Sequence, residues 1–401
     1  MIPRGAPYIR WSDVVAAASY CLRPGDGEDA QQRVEERWAA NTLACLSVRS
    51  GFDALLHELA FRAGSEIIVS AVTIPHILDI MAHHRLVAVP VDVDVSTLSV
   101  SARAVEDAVT EKTKAVLIAH LFGNRMPVED IAAVAHAHAL LFIEDCAQAN
   151  DGTDYRGSAE SDVVMFSFGS IKRQTAMGGG LLRFRDAALL DAVRRHQAAY
   201  PRQSRSSYLN RVLKLAMVKL VGTRMLFPVF VRICSWLGLD HDRTLGTALR
   251  GFAHGDLFSR LRQQPSVPLL RTLHRRLSRP DFAEIEKRVA IVQTVAETFP
   301  SLHRPGRHGA HHTHWLFPIL SERPQPLMHK LWAAGYDATS GASNLVCVPA
   351  PDGRTRPQGA EQMMQDILYL PLFPSMSREE MLGLARTLEA LDCGEPQSSP
   401  S

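Results

Sequence analysis

The sequence lacks any long apolar run. No stretch of the 401 residues approaches the roughly 18 to 20 uncharged apolar residues that a membrane span needs. The first residues, MIPRGAPYIRW, also lack the apolar core of a signal peptide. These two absences argue against a transmembrane helix and predict a protein that is not exported.

Cysteine is scarce, and no two cysteines are close in sequence. The six cysteines are scattered, at positions 21, 45, 146, 234, 347 and 393. This spacing argues against a disulfide framework or a zinc site and predicts a reducing compartment, the cytoplasm. The histidines between residues 303 and 314 lack nearby cysteines or paired carboxylates at ligand spacing, so we expect no metal there.

The net charge is small but unevenly distributed. A formal charge of +2 indicates no strong polyanionic partner, and we expect no nucleic-acid binding. Residues 202–250 carry nine Lys/Arg against two Asp, so this segment is +7 and the remainder is about −5. The same segment is rich in Leu, Met, Val and Phe, which predicts amphipathic helices with a local basic surface.

Hydrophobic residues make up 46% of the chain, enough for two domains with substantial cores. In residues 15–200, short apolar runs alternate with helical stretches. This alternation predicts an α/β domain whose mainly parallel sheet is covered by helices on both faces. Residues 30–64 are predicted to be helical, with a helix from Phe52 to Arg62 that follows a turn at Gly51.

Three further segments follow this large domain. Residues 200–255 are predicted to form a basic amphipathic helical insertion, and residues 256–395 a smaller α/β domain. That smaller domain includes a predicted strand, Trp315–Leu320. The polar tail, residues 394–401, is predicted to be disordered.

The most informative stretch runs from Leu141 to Leu182. A buried strand ends in Asp145, and a second apolar strand, Val163–Phe168, is followed by Lys172. Open α/β sheets present functional groups at the carboxyl ends of their strands. Pyridoxal 5'-phosphate (PLP) needs a lysine amine to hold its aldehyde as a Schiff base and a carboxylate to keep its ring nitrogen protonated. We assign these roles to Lys172 and Asp145.

The pattern I-E-D-x-A-Q, followed by F-S-F-x-x-x-K and a glycine-rich strand start, resembles the DegT/DnrJ/StrS family of sugar aminotransferases. Upstream, Val48–Leu55 resembles the family's S-G-T-x-A-L turn, and His120–Gly123 its H-L-Y-G segment. Downstream, His314–Pro318 resembles a strand of its small domain. The resemblance implies the PLP-dependent transferase fold of type I and a homodimer whose active sites are built from both chains.

The resemblance also assigns further cofactor contacts. Gln148 would lie against the ring oxygen O3', and Ser167 would contact the phosphate. The helix start at Ser50, Gly51 and Phe52 would offer backbone N–H groups to the same phosphate.

Several positions depart from the family pattern. Phe52 stands where the family has Thr or Ser, so a hydroxyl contact to the phosphate is lost. Ile74 occupies the position of an aromatic ring that stacks on the pyridine, and His76 is an alternative stacking residue. The family's N-Y/F-R motif, which reaches the phosphate across the dimer, has no clear match, and residues 258–262 stand at its place.

The leading functional hypothesis is a PLP-dependent aminotransferase that moves an amino group from a donor such as L-glutamate to a carbonyl acceptor. The resemblance implies a nucleotide-linked keto-sugar as acceptor. Lys172 argues against the family's dehydratase branch, which has His there. A second class of hypothesis is a non-enzymatic, PLP-binding regulatory protein on the same fold.

The segment 205–250 leaves the acceptor and the location open. In one interpretation its apolar faces pack on the domain or on a partner subunit. In the other it is an interfacial helix pair that contacts the membrane surface. The second interpretation favours a lipid-linked, acyl or polyketide-derived carbonyl.

Overall fold

The computed structural model describes residues 1–4, 7–150, 152, 154–249, 256–280, 282–300, 302–341, 344–373 and 376–392. The predicted disordered tail, residues 394–401, lies outside the described residues. The strands are β1 (Thr42–Cys45), β2 (Glu66–Ser70), β3 (Val72–Thr73), β4 (Val87–Val91), β5 (Thr113–Ala119), β6 (Asn124–Arg125), β7 (Leu141–Asp145), β8 (Val163–Ser167), β9 (Gly180–Phe184), β10 (His311–His312), β11 (Pro318–Leu320), β12 (Val346–Cys347) and β13 (Ile367–Tyr369).

Helices surround these strands and form most of the segment after residue 200. They are α1 (Trp11–Leu22), α2 (Gly27–Trp38), α3 (Val48–Leu59), α4 (Pro75–His83), α5 (Ala102–Ala108), α6 (Glu129–Ala137), α7 (Ala187–Ala198), α8 (Arg205–Val221), α9 (Phe227–Trp236), α10 (His241–Leu249), α11 (Leu257–Leu261), α12 (Val267–Leu277), α13 (Phe282–Thr298), α14 (Pro324–Ala333), α15 (Gln358–Asp366) and α16 (Arg378–Asp392). In the described residues no helix is both long and apolar enough to cross a bilayer.

The large sheet has seven strands in the order β1-β9-β8-β7-β5-β2-β4. Neighbouring strands from β8 to β4 are parallel, whereas β9 runs antiparallel to both of its neighbours. The predicted mainly parallel α/β sheet is therefore confirmed. Since both faces are covered, the middle residues of its central strands are apolar, and polar residues lie only at the strand ends.

Alternating residues of each central strand enter opposite cores. In β2, Ile67 and Val69 pack with α3, α4 and α7, whereas Ile68 packs with α5 and α6. In β8, Met165 joins the first of these cores, and Phe166 joins a third core beneath α1, α2, α8 and α12. The strands are thus fixed in register, because a shift by one residue would exchange the two faces.

The prediction for residues 30–64 was wrong in two respects. The segment contains β1, which pairs with β9, and α3 begins at Val48 rather than Phe52. Ser47 caps this helix, since its hydroxyl accepts a hydrogen bond from the Ser50 amide. The start of the helix therefore lies four residues earlier than predicted.

The later part of the chain forms a separate core between α13, α14, α16, β11 and β13. The predicted strand from Trp315 is shorter and starts at Pro318. The predicted amphipathic helices of the basic segment are α8, α9 and α10. Although α12 follows that segment in sequence, it packs on α1 and α2, which cover one face of the large sheet. The division into domains stays a prediction.

Candidate functional site

The site lies at the carboxyl edge of the parallel strands. Asp145 is the last residue of β7, and Ser167 is the last residue of β8. The His120 amide, which directly follows β5, donates to the Asp145 carbonyl oxygen at 3.1 Å. The topology alone thus brings the two predicted strand ends together.

Lys172 lies in the loop between β8 and β9. Its amide donates to the Gly169 carbonyl, and its own carbonyl accepts from the Thr175 amide, so the backbone forms a tight turn. The ammonium nitrogen lies 4.0 Å from the ring centroid of Trp315. The Trp315 indole donates to the Ile171 carbonyl at 3.2 Å, which fixes the ring beside the lysine.

The environment of Lys172 shifts its ionisation towards the neutral, nucleophilic form. Burial lowers the pKa of Lys172 to about 8; the negative charge of Asp145 opposes this shift and the positive charge of Arg49 adds to it. An amine with this pKa has a substantial neutral fraction near pH 7 to 8, which a carbonyl-capturing lysine needs.

Asp145 is buried, and only part of the hydrogen-bonding capacity of its carboxylate is used by the described residues. Burial raises the pKa of Asp145, against the opposing effects of the Ala147 amide, Lys172 and His120. Its Oδ1 accepts from the Ala147 amide at 2.9 Å, and in the described part of the chain no group donates to Oδ2. A protonated ring nitrogen would supply both the missing donor and a compensating charge, so this carboxylate fits the PLP ring.

Behind Asp145, Glu144 points into the opposite core and is fully hydrogen-bonded. Burial alone would raise the pKa of Glu144, but His120, Ser161 and Tyr155 hold it well below its usual range. The His120 Nε2 lies 2.9 Å from the carboxylate and the Ser161 hydroxyl 2.6 Å. This network fixes the end of β7 and therefore the backbone of Asp145.

Gln148 and Ser167 lie near the same strand ends. The Gln148 Oε1 accepts from the Phe122 amide at 3.0 Å, which orients the side-chain amide with its N–H donors on the other side. The Ser167 hydroxyl accepts a long hydrogen bond of 3.5 Å from the Gly169 amide. Their contacts with O3' and the phosphate stay predictions.

The geometry around Gly51 differs from the predicted turn. Gly51 lies inside α3, and its amide donates to the Ser47 carbonyl at 3.1 Å. A Cβ at this position would lie 2.6 Å from the Leu182 side chain, so glycine lets α3 pack closely on β9. The Phe52 side chain is fully buried in the core. The helix start thus consists of Val48, Arg49 and Ser50, and the phosphate contacts predicted for Ser50, Gly51 and Phe52 stay untested.

Two arginines that the motif search missed flank this helix start. Burial lowers the pKa of Arg49 to about 10, and the charge of Arg211 adds to this shift. Arg211 belongs to α8. If Gly178 carried a Cβ, that atom would lie 3.2 Å from the Arg211 Nη1, so the guanidinium lies against the Gly178 backbone. On the same helix, the buried Tyr208 hydroxyl donates to the Ala176 carbonyl at 2.9 Å. Residues of α8 therefore hold the loop that follows Lys172.

The predicted stacking positions differ in surroundings. Ile74 immediately precedes α4 and packs against the two cores on either side of the sheet. The His76 Nδ1 lies 2.8 Å from the Arg49 guanidinium, and burial together with Arg49 lowers the pKa of His76. His76 thus lies next to the helix start, and the stacking roles stay predictions.

The segment at the place of the family's cross-dimer motif makes contacts within the chain. Arg262 pairs with the buried Asp53 at 2.9 Å, and the Phe258 ring stacks on His83 with 3.8 Å between centroids. Asp53 also pairs with His84 at 2.9 Å.

Two clusters of the described residues have metal-ligand spacing. They are His57, Glu58 and His196, and the buried group of His120, Glu144 and Cys146. The histidines that the sequence analysis considered are in neither cluster. Of these, His312 and His314 are stacked 4.0 Å apart, and burial lowers their pKa values to about 3 and about 2.

The solved structures that superpose on this chain include aminotransferases. The aminotransferase TlmJ from Streptoalloteichus hindustanus superposes with a TM-score of 0.70, covers 98% of this chain and 99% of its own, and is 17% identical. The sugar aminotransferase CalS13 from Micromonospora echinospora superposes with a TM-score of 0.66 over 97% of this chain and 100% of its own, at 18% identity. The fold is therefore that of the PLP-dependent aminotransferases.

The sequence comparisons narrow this class. The DegT/DnrJ/EryC1/StrS aminotransferase family, whose members are in general PLP-dependent, matches residues 29–221, just under half of the chain. The lipopolysaccharide biosynthesis protein RfbH of Salmonella typhimurium is 38% identical over 119 residues, 30% of this chain and 26% of RfbH. A dTDP-4-dehydro-2,6-dideoxy-D-glucose 3-dehydratase of Saccharopolyspora spinosa is 34% identical over 145 residues, 35% of this chain and 30% of that enzyme. The chain thus spans less than a third of the length of these two relatives.

Proposed function

We propose that this protein is a PLP-dependent aminotransferase that transfers an amino group from an amino acid such as L-glutamate to a carbonyl acceptor. The observation that carries the proposal is the pairing of a lysine of lowered pKa with a buried carboxylate at the carboxyl edge of the sheet. Each of the two groups influences the ionisation of the other. This is the pair of side chains that PLP requires at its two ends.

The residues around this pair would hold the cofactor as follows. Asp145 would pair with the protonated ring nitrogen, and Lys172 would form the Schiff base with the aldehyde carbon. Gln148 would contact the ring oxygen O3'. The helix start of α3, Ser167 and the guanidinium groups near it would receive the phosphate. Bound PLP supplies an electron-accepting ring that stabilises negative charge at the donor's Cα.

Proton transfer is the task of the chain itself. Once the donor amine has displaced it, the Lys172 amine would move the proton between the donor's Cα and the cofactor's C4'. Its lowered pKa suits a group that must both accept and release a proton near neutral pH. The Trp315 ring beside it limits the directions in which the amine can swing.

Borohydride trapping tests the cofactor assignment. Reduction of PLP-loaded protein should leave a phosphopyridoxyl adduct on Lys172, located by peptide mass spectrometry. Lys172→Gln should lose the adduct, whereas the matched change Lys112→Gln, at an exposed position, should keep it. An unmodified Lys172 in the wild type would sink the proposal.

The regulatory alternative makes a different spectroscopic prediction. An aminotransferase converts bound PLP to pyridoxamine phosphate when a suitable amino donor is added, and one donor of a panel should do so. A PLP-binding regulator would leave the cofactor spectrum unchanged with every donor.

The acceptor is proposed to be a nucleotide-linked keto-sugar. Supporting this are the family match and two relatives named for lipopolysaccharide biosynthesis and for a dTDP-sugar reaction. One of these relatives is named a dehydratase, and the family's dehydratase branch lacks the lysine. Because Lys172 is retained, we expect an aminated product; a deoxygenated sugar without a new amine would contradict this.

A second acceptor class is favoured by the exposed surface of α8 and α9. Large apolar side chains there face solvent; Met225 is 86% and Trp236 84% exposed, and eight others on or near these helices are also exposed. Exposed Lys214 and Arg232 are interspersed with them. An apolar face with interspersed cations and a tryptophan suits the interface of an anionic lipid surface. A second copy of this positively charged face would be repelled.

We therefore propose that this face binds anionic membranes and that the acceptor can be lipid-linked, acyl or polyketide-derived. Vesicles of phosphatidylcholine with phosphatidylglycerol should sediment the protein, and vesicles of phosphatidylcholine alone should do so less. Replacing both Met225 and Trp236 by Ser should abolish sedimentation, whereas Leu22→Ser, which removes an equally exposed apolar side chain on α1, should not. Binding to neither vesicle would refute the membrane contact.

The remaining partners follow from the same assignment. We propose a homodimer with shared active sites in the cytoplasm. The five described cysteines are unpaired, which suits a reducing compartment. Sedimentation equilibrium should give twice the chain mass of 44.3 kDa; a monomer at micromolar concentration would exclude shared sites.

A further inference from the structure

A cavity of about 760 Å³ lies beside the active-site loop but is not part of the proposed cofactor site. Its lining includes Pro3 and residues 7–11, the end of α8 and the turn that follows it, the first half of α13 and residues 173–174. Arg173 and Gln174 directly follow Lys172, yet Lys172, Asp145, Gln148 and Ser167 do not line it. The volume is in the range of small-molecule sites.

The lining is strongly basic. Seven Lys/Arg line the cavity, against the single acidic residue Glu284. Two of the cations are neutralised from outside, since Arg224 pairs with Glu380 and Arg276 with Asp13. Basic side chains thus outnumber acidic ones among the described residues of the lining.

Arg288 on α13 is a buried cation that has no carboxylate partner among the described residues. Arg288 is only 4% exposed. Its Nη1 donates to the carbonyl oxygens of His314 at 3.2 Å and Trp315 at 3.3 Å. The guanidinium carbon lies 5.2 Å from the Tyr8 ring. Burying a charge without a counter-charge is unfavourable, and an anion entering the cavity would relieve that cost.

Lys219 at the end of α8 is the second cation that faces this space. Its ammonium group lies 3.5 Å from the Pro7 carbonyl and 5.8 Å from the ring of Trp11. Positively charged side chains of both α8 and α13 thus line the cavity, and the aromatic rings of Tyr8 and Trp11 lie next to them. The combination suits a phosphate group attached to an organic part.

We propose that this cavity is a binding site for an organic phosphate or diphosphate, with Arg288 and Lys219 as its anion contacts. The proposal goes beyond amino transfer and does not depend on it. The ligand chemistry has two sources, a soluble nucleotide diphosphate and an isoprenoid diphosphate whose tail would extend along the exposed apolar face of α8 and α9.

Calorimetric titration of the full chain, saturated with PLP, tests the site with three probes: inorganic pyrophosphate, UDP and farnesyl diphosphate. Pyrophosphate should bind the wild type, and Arg288→Gln and Lys219→Gln should each weaken it at least tenfold. Lys214→Gln removes one exposed positive charge from α8 outside the cavity and should leave the affinity within twofold. Neither glutamine variant leaves a buried charge behind, so both should fold, and circular dichroism checks this.

Saturation with PLP separates this site from the proposed cofactor phosphate site, because pyrophosphate can then bind only elsewhere. Tighter binding of UDP than of pyrophosphate would assign a soluble nucleotide, tighter binding of farnesyl diphosphate an isoprenoid carrier, and equal binding the phosphate group alone; each supports the site. The proposal is overturned if no probe binds the wild type, or if Lys214→Gln weakens binding as much as Arg288→Gln does.

Discussion

At the scale of single residues, Asp145 and Lys172 control each other's protonation. The Asp145 charge keeps the pKa of Lys172 from falling further below about 8. Asp145→Asn should therefore lower this pKa, because burial and the Arg49 charge remain while the favourable partner is lost.

The rate at which cofactor-free protein captures PLP reports this shift, since only the neutral amine attacks the aldehyde. The midpoint of the rate-against-pH curve should move to lower pH in Asp145→Asn and stay in place in Asp352→Asn, where the aspartate is exposed. A midpoint that rises would show that the two groups are not coupled as described.

The second prediction at this scale concerns the contribution of Arg49 and Arg211 to PLP affinity. The family's hydroxyl and cross-dimer asparagine have no counterparts at Phe52 and residues 258–262, and two half-buried arginines lie near the same helix start instead. Charge-assisted hydrogen bonds contribute about 1.5–3 kcal/mol, so each arginine should account for roughly a tenfold or larger gain in PLP affinity.

The readout is the preference for PLP over pyridoxal, which lacks the phosphate. Arg49→Gln and Arg211→Gln should each reduce this preference by about tenfold, following from the energies above. Lys214→Gln, on the same helix as Arg211 but exposed, should leave it unchanged. If the variants weaken PLP and pyridoxal equally, the arginines do not contact the phosphate.

At the scale of elements, the contact between β9 and the start of α3 positions the helix start that is proposed to bind the phosphate. A Cβ on Gly180 would lie 2.4 Å from the Val48 amide nitrogen, and backbone cannot yield as a flexible side chain does. Gly180→Ala should therefore push α3 away from the sheet and destabilise the fold by about 1–3 kcal/mol, as overpacking does.

Thermal unfolding with and without PLP measures this effect. Gly180→Ala should lower the melting temperature and also reduce the stabilisation that PLP provides. Gly341→Ala is the control, because its added Cβ meets only the Thr339 hydroxyl at 3.6 Å. Equal melting temperatures for wild type and Gly180→Ala would mean that β9 adjusts without moving α3.

At the scale of the whole molecule, the parallel sheet followed from hydrophobic runs, since buried strands are apolar on both faces. The carboxyl-edge positions of Asp145 and Ser167 followed from the same pattern. The four residues of β1 were missed because they lie between two helices and pair only with the distant β9. The sequence motif also placed the start of α3 at its glycine, although the cap is Ser47.

The parts of the site that depend on long-range packing could not be predicted. Trp315 lies over Lys172, and Arg211 reaches the Gly178 loop, although both are far from the motif in sequence. No local periodicity indicates such contacts, because they depend on how the later segments fold back on the sheet.

Because α8 contacts the loop after Lys172, the stability of this helix should depend on whether the cofactor is bound. Through Tyr208 and Arg211, local opening of α8 would release the loop and one of the cations near the proposed phosphate site. PLP should therefore suppress that opening and slow tryptic cleavage within α8, and pyridoxal should do so less. The helix that carries the exposed apolar face would then be most firmly docked when the enzyme is loaded with its cofactor.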